Sequence, residues 1–281
     1  MELLLLREIV VLVATAIAAY TDYKTGFIFD WITYPLIAIG LVLHALEWLS
    51  TGFIDWSGIG IACIVFGAGL VLYYAGKTGG GDVKLLAGIA LTLPFFSNQV
   101  FVASVLLVAA LLGIVVLGAY FITRYLCTRP DLAENKANAW PALLLGIGTI
   151  IYLALGMEYR LFSPLGVLVL APPLVIAVVF LALDRGIRKT FFLEEVPLSK
   201  LEEDEIVARE FENEKTIKIL EASPLGVLTK KEIALLQTAG IERVKVYRKL
   251  PPFGPFLLAG TIVSLAFPTW LSMLMPLYPM P

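Results

Sequence analysis

Apolar runs at about 2–20, 31–50, 57–76, 99–122, 140–157, 164–183 and 256–275 are almost free of charge. Each is close to the roughly 20 helical residues that a hydrocarbon core about 30 Å thick requires. A chain written this way cannot hide its apolar surface inside itself. Soluble domains are about half apolar and a quarter charged, whereas 59% of these 281 residues are hydrophobic and 16% charged. Lipid is the solvent that accommodates them. The first run, LLLLREIVVLVATAIAAY, lacks a basic leading stretch and a small-residue cleavage site, so it reads as a retained helix.

An eighth segment is harder to place. From Val83 to Phe96 the chain is apolar but short; extended back to Thr78 it reaches spanning length only by including Gly79, Gly80, Gly81, Asp82 and Lys84. Those residues are therefore expected at or just inside the membrane interface. The basic residues decide the count. With eight spans and the 21–30 loop in the cytoplasm, Lys24, Lys77, Lys84, Arg124, Arg129, Lys136, Arg185, Arg188 and Lys189 face inside, and Arg7 and Arg160 remain outside. Short cytoplasmic loops carry the excess of Lys and Arg, so this asymmetry predicts eight spans and both termini outside.

The expected fold is an all-α polytopic membrane protein of about eight transmembrane helices, with a small α/β cytoplasmic insertion before the last. The predicted divisions are a transmembrane core over 1–183, a soluble subdomain over 184–250, and a final helix and tail over 251–281. The insertion holds most of the charge, including EEDE at 202–205. In LTKKEIALLQTAGIERVKVY, Thr229 and Glu232 have capping-box spacing, Gly240 can close the helix, and IERVKVY alternates as a strand does. The 194–222 part has a second reading as a solvated linker.

Composition excludes some chemistry. No basic stripe with interleaved aromatics suggests nucleic acid. One histidine, two cysteines (Cys63 and Cys127) and no CxxC exclude a Cys/His zinc site; no metal or cofactor is expected. The carboxylates are more informative. Asp22 follows the first span and Asp82 opens the fourth, so span counting puts both at the cytoplasmic face at similar depth. Two carboxylates within about 3 Å cannot both be ionised. The ionised one can take a proton from water, and the protonated one can polarise a peptide carbonyl. Gly79, Gly80 and Gly81 leave the backbone bare for an extended peptide, and Lys84 can anchor in headgroups or adjust the local potential.

Other readings stand beside this one. Asp22 can be an interfacial or capping residue, Asp82 an N-cap, and the glycines a flexible turn. Asp30, which starts the second span with Trp31, competes with Asp22. His44 and Glu47 can form a proton-handling pair or sit at the interface beside Trp48. A proton- or cation-coupled transporter would also use intramembrane carboxylates, but it calls for polar groups or broken helices near the midplane, where these spans carry almost no charge. An inactive membrane scaffold around the insertion is a third possibility.

Asp22 with the following FIFDWITY, and Gly79-Gly80-Gly81-Asp82 within GGGDVKLLAG, resemble the type IV prepilin peptidases and archaeal preflagellin peptidases, membrane aspartic proteases of the GxGD type. The likeness covers roughly residues 8–100. It implies that Asp22 and Asp82 are a catalytic dyad; beside it, the bare backbone of Gly79, Gly80 and Gly81, with Lys84, is the expected substrate-binding stretch. It also implies that the substrates are pilin-like or flagellin-like precursors whose short basic leader is cut at the cytoplasmic face. Many bacterial members have a long first loop with paired CxxC motifs and also N-methylate the new terminus. Here the loop from Asp22 to Trp31 is short and cysteine-free, which resembles archaeal members and argues against methyl transfer. Which precursor is cut, and the oligomeric state, are not encoded in any motif.

Overall fold

The computed structural model describes residues 2–53, 56–202, 205–220, 227–248 and 250–274. Three helices come first: α1 (Glu2–Thr25), α2 (Asp30–Thr51) and α3 (Trp56–Tyr74). A short α4 (Gly80–Thr92) follows, then a hairpin of β1 (Phe95–Phe96) and β2 (Gln99–Val100). α5 (Phe101–Gly113) runs through a π-turn at Ile114–Gly118 into α6 (Ala119–Cys127), followed by α7 (Lys136–Glu158) and α8 (Pro164–Phe191). Among the described residues, six helices are long and apolar enough to cross a membrane, with α5 to α6 counting as one. Of the eight expected spans, the fourth and the last are instead short helices. α4 and α11 (Gly254–Ala266) have 13 residues each, about 20 Å of helix.

Proline sets both lengths. Leu93, before Pro94, leaves the helical region at φ −134°, ψ 77°. Phe267, before Pro268, does the same at φ −129°, ψ 68°. The proline ring disfavours helical geometry in the residue ahead of it. The segment read as one span to Phe96 therefore stops at Thr92, and Phe95 and Phe96 pair with Val100 and Gln99 across Ser97 and Asn98 at φ +49° and +61°. Likewise the run to 275 breaks before a short α12 (Trp270–Leu274).

A helix that ends inside an apolar layer needs partners for its last carbonyls. α4 is buried along most of its length and packs against α2, α3 and α1. Arg7 of α1 donates to Thr92 O at 3.2 Å and to Glu47 at 2.7 Å, and His44 of α2 donates through Nε2 to Leu91 O at 2.9 Å. Arg7 and His44 are both 6% exposed. His44 and Glu47 thus belong to the cap of α4, and Arg7 is a buried cap and not an interfacial charge. A cation at a helix C-terminus also complements the helix dipole. Arg7→Leu leaves a buried acceptor unpaired, so we expect a stability loss of about 2–3 kcal/mol, read by reversible unfolding in micelles.

The insertion is a three-stranded antiparallel sheet ordered β3-β5-β4, made of β3 (Leu193–Pro197), β4 (Ile206–Val207) and β5 (Arg243–Tyr247). It packs a core of Val196, Leu220, Leu228, Leu236, Val244 and Val246 with α9 (Glu214–Leu220) and α10 (Lys230–Thr238). The Thr229/Glu232 capping box is formed, and Gly240 turns the chain at φ +69°. The 194–222 stretch contributes two strands and a helix where a linker was the second reading. Glu203 and Asp204 of the acidic run lie outside the described residues. Arg188 of α8 bridges Asp184 and Glu210, and Glu210 also accepts from Tyr247, tying the sheet to the membrane helices.

Candidate active site

Three helix ends meet where the first carboxylate sits. Asp22 lies one turn before the end of α1, and Gly26, at φ +74°, closes that helix through its N–H to Asp22 O. The chain then crosses residues 27–29 and enters α2. Asp82 lies in the first turn of α4, and α11 begins at Gly254. α1 packs against both α4 and α11. Because Arg7 caps the far end of α4 while Asp22 lies beside its start, α1 and α4 run antiparallel and both aspartates share one end of the bundle. Tyr20, Tyr23, Phe27, Trp31 and Tyr34 are exposed around that end. Such aromatics mark a membrane–water boundary.

Asp22 is 7% exposed, and its Oδ2 accepts the Gly254 backbone N–H at 2.7 Å. The Phe253 backbone also contributes to this carboxylate. Asp82 receives a backbone hydrogen bond from Gly79 and feels the charge of Asp22. Its Oδ1 is buried with no hydrogen-bond partner among the described residues. α4 and α11 both present their N-termini here, where the helix dipole favours negative charge. The two sequence candidates are therefore brought to one junction of helix ends, where the charge of Asp22 acts on Asp82.

The glycines before Asp82 differ from one another. A Cβ on Gly81 would lie 2.7 Å from Ile28 O and 2.9 Å from Ile28 Cβ, so the loop between α1 and α2 rests on bare backbone. A Cβ on Gly80 would meet only the Tyr73 ring at 3.4 Å. Gly79 is the extended N-cap of α4, and a Cβ there would lie 2.9 Å from Asp82 Oδ2. Lys84 turns to α2, pairing with Asp30 at 2.5 Å and lying 5.0 Å over the Tyr34 ring. Asp30, the competitor of Asp22, is thus engaged by a lysine and half-exposed. Both members of this pair contact water, so Lys84→Met is expected to cost less than about 1 kcal/mol in the same micelle unfolding measurement.

Gly254 and Phe253 fall within the 251–281 division, just ahead of the apolar run at 256–275, and no sequence motif marks them. They stand 232 positions from Asp22, and no local pattern links them. The available signal was a second glycine opening a short apolar helix, in PPFGPF, as the GGGD glycines open α4. Among the described residues, no three His, Cys, Asp or Glu side chains group as a metal site.

Residues 9–122, which include both aspartates, match the model of the Type IV leader peptidase family. The prepilin peptidase EppA of Methanothermobacter thermautotrophicus is 34% identical over 94 residues, which are 32% of this chain and 24% of that protein. The aligned part thus spans about a quarter of the curated relative. No solved structure matches. Both matches are to leader peptidases, the family that Asp22 and the GGGD run resemble, and the family-model match contains both aspartates.

Proposed function

We propose that the chain is a membrane aspartic endopeptidase that removes a short basic leader from type IV prepilin-like or preflagellin precursors at the cytoplasmic membrane face. The observation that carries this is the pairing of Asp22 and Asp82 where α1, α4 and α11 converge, inside the segment that matches the leader peptidases. In this reading α4 and α11 count with the six long helices as eight membrane segments. Both termini are outside, and the 21–30 loop and the insertion are inside. A precursor whose leader is basic and whose next segment is an apolar helix would lie with its leader on the same side.

The chemistry needs only the two carboxyls and water. One takes a proton from water as the water oxygen bonds to the scissile carbonyl carbon. The other gives its proton to the carbonyl oxygen, forming a tetrahedral diol. As the C–N bond breaks, the first returns its proton to the leaving nitrogen. A diol hydroxyl gives its proton to the second, and the new acid and amine depart with both groups restored. Gly80 offers bare backbone that an extended substrate can approach, while Lys84 and Asp30 hold α2 beside it.

The test is direct. The purified protein in nanodiscs is incubated with a full-length preflagellin or prepilin, and the products are mapped by mass spectrometry. One cut at the junction of leader and apolar helix, unaffected by chelators, is expected. The new N-terminus should be unmethylated when a methyl donor is supplied. No cleavage, or cleavage that a chelator abolishes, overturns the reading.

A further inference from the structure

Resting on the aspartic-peptidase reading, we propose that Gly254 is a positioning residue whose backbone N–H holds Asp22 as the ionised, water-activating member of the pair, leaving Asp82 to carry the proton donated to the substrate carbonyl. The first turn of α11 is unusual in what it leaves free. Pro255 has no N–H. Phe256 and Leu257 donate to Phe253 O at 3.0 and 3.2 Å. The Gly254 N–H is thus the first-turn donor directed outward, and it meets Asp22 Oδ2 at 2.7 Å in a buried contact. A backbone donor at a helix N-terminus favours the charged form of the carboxylate it touches.

Glycine also allows the close approach: a Cβ at 254 would sit 3.0 Å from Asp22 Cβ and Oδ2 and 3.1 Å from Ala19 Cα, so a side chain would require α1 or α11 to give by a few tenths of an ångström beside the donor. The donor is also held on a fixed element. α11 packs against α1 and α5, and its Ser264 hydroxyl meets Ser104 of α5 at 2.8 Å, with Trp270 Nε1 donating to the same Ser104. Asp82 differs in kind. Gly79 serves one side of its carboxyl, but Oδ1 is buried without a partner among the described residues. A charged oxygen left so is costly, whereas a hydroxyl there is poised to donate.

The experiment removes one atom group. Glycolic acid in place of Gly254 turns the Phe253–Gly254 amide into an ester and deletes the N–H without adding a side chain. A backbone ester at Phe256 serves as the control, because it removes a helix hydrogen bond that does not touch Asp22. The ester at 254 should lower kcat roughly ten- to hundredfold, the worth of a hydrogen bond to a charged group, with KM and thermal stability matching the control. Infrared difference spectra give a second readout. Asp22→Asn should remove a carboxylate band, Asp82→Asn a protonated-carboxyl band, and the ester at 254 should shift the Asp22 band. An unmoved Asp22 band, a reversed assignment, or a kcat loss equal to that of the control overturns the proposal. If the wild-type protein cleaves no precursor, the peptidase reading fails, and the infrared bands still decide whether Gly254 holds Asp22 ionised.

Discussion

Asp22→Asn and Asp82→Asn are each expected to lower leader cleavage by about a thousandfold or more, because each removes a proton-transfer group that the other cannot replace. The losses should not add in the double variant, since the pair acts as a unit. Stability should move differently. Asparagine at 22 keeps an oxygen to accept the Gly254 N–H, so α11 stays seated. Asparagine at 82 is uncharged, as the protonated carboxyl is, fills the same volume, and carries an N–H donor where that carboxyl carries an O–H. Asp82→Asn should therefore melt at the same temperature as the wild type or higher. Activity lost while stability holds or rises is the signature of a residue kept for chemistry and not for packing. The checks are a cleavage time course and thermal melting in the same detergent. Full activity in either variant would remove the dyad.

Much of this was legible because it is local or additive. Span lengths follow from hydropathy, and the shared end of Asp22 and Asp82 follows from counting helices between them. Thr229 and Glu232 signal their cap from three positions apart. What was not legible has two physical origins. Averaged hydropathy does not register single residues that stop a helix, so Pro94 and Pro268 were passed over although each forces the residue ahead of it out of helical geometry. The second is distance along the chain. Arg7 caps a helix 85 positions away, and Gly254 holds a carboxylate 232 positions away. Neither side of such a contact carries a mark of the other. A charge inside an apolar run is the one clue that a partner is needed, and Arg7 was such a clue.

Gly81→Ala is expected to lower kcat by about a hundredfold, the effect of moving reacting groups by roughly 1 Å, while Gly80→Ala changes it little. Helix propensity alone predicts the opposite sign, since alanine in place of glycine within a helix gains up to about 1 kcal/mol. At Gly81 the clash decides. The new Cβ would lie 2.7 Å from Ile28 O, a backbone atom that cannot rotate away as a side chain can. Two movements relieve it. The 27–29 loop can lift, pulling on the end of α1 that carries Asp22, or the start of α4 can retreat, carrying Asp82 with it. The Lys84–Asp30 pair resists the first by holding the start of α2 to α4. Both change the spacing of the two carboxyls. At Gly80 the same substitution meets the Tyr73 ring at 3.4 Å, an ordinary contact. The neighbouring glycines therefore separate two roles that their sequence does not. If bare backbone serves the packing of the loop, only Gly81→Ala is damaging and the loss is in kcat. If it serves the substrate strand, Gly80→Ala is damaging too, and its loss appears in KM. Steady-state kinetics on one precursor, with both variants in the same nanodiscs, distinguishes them.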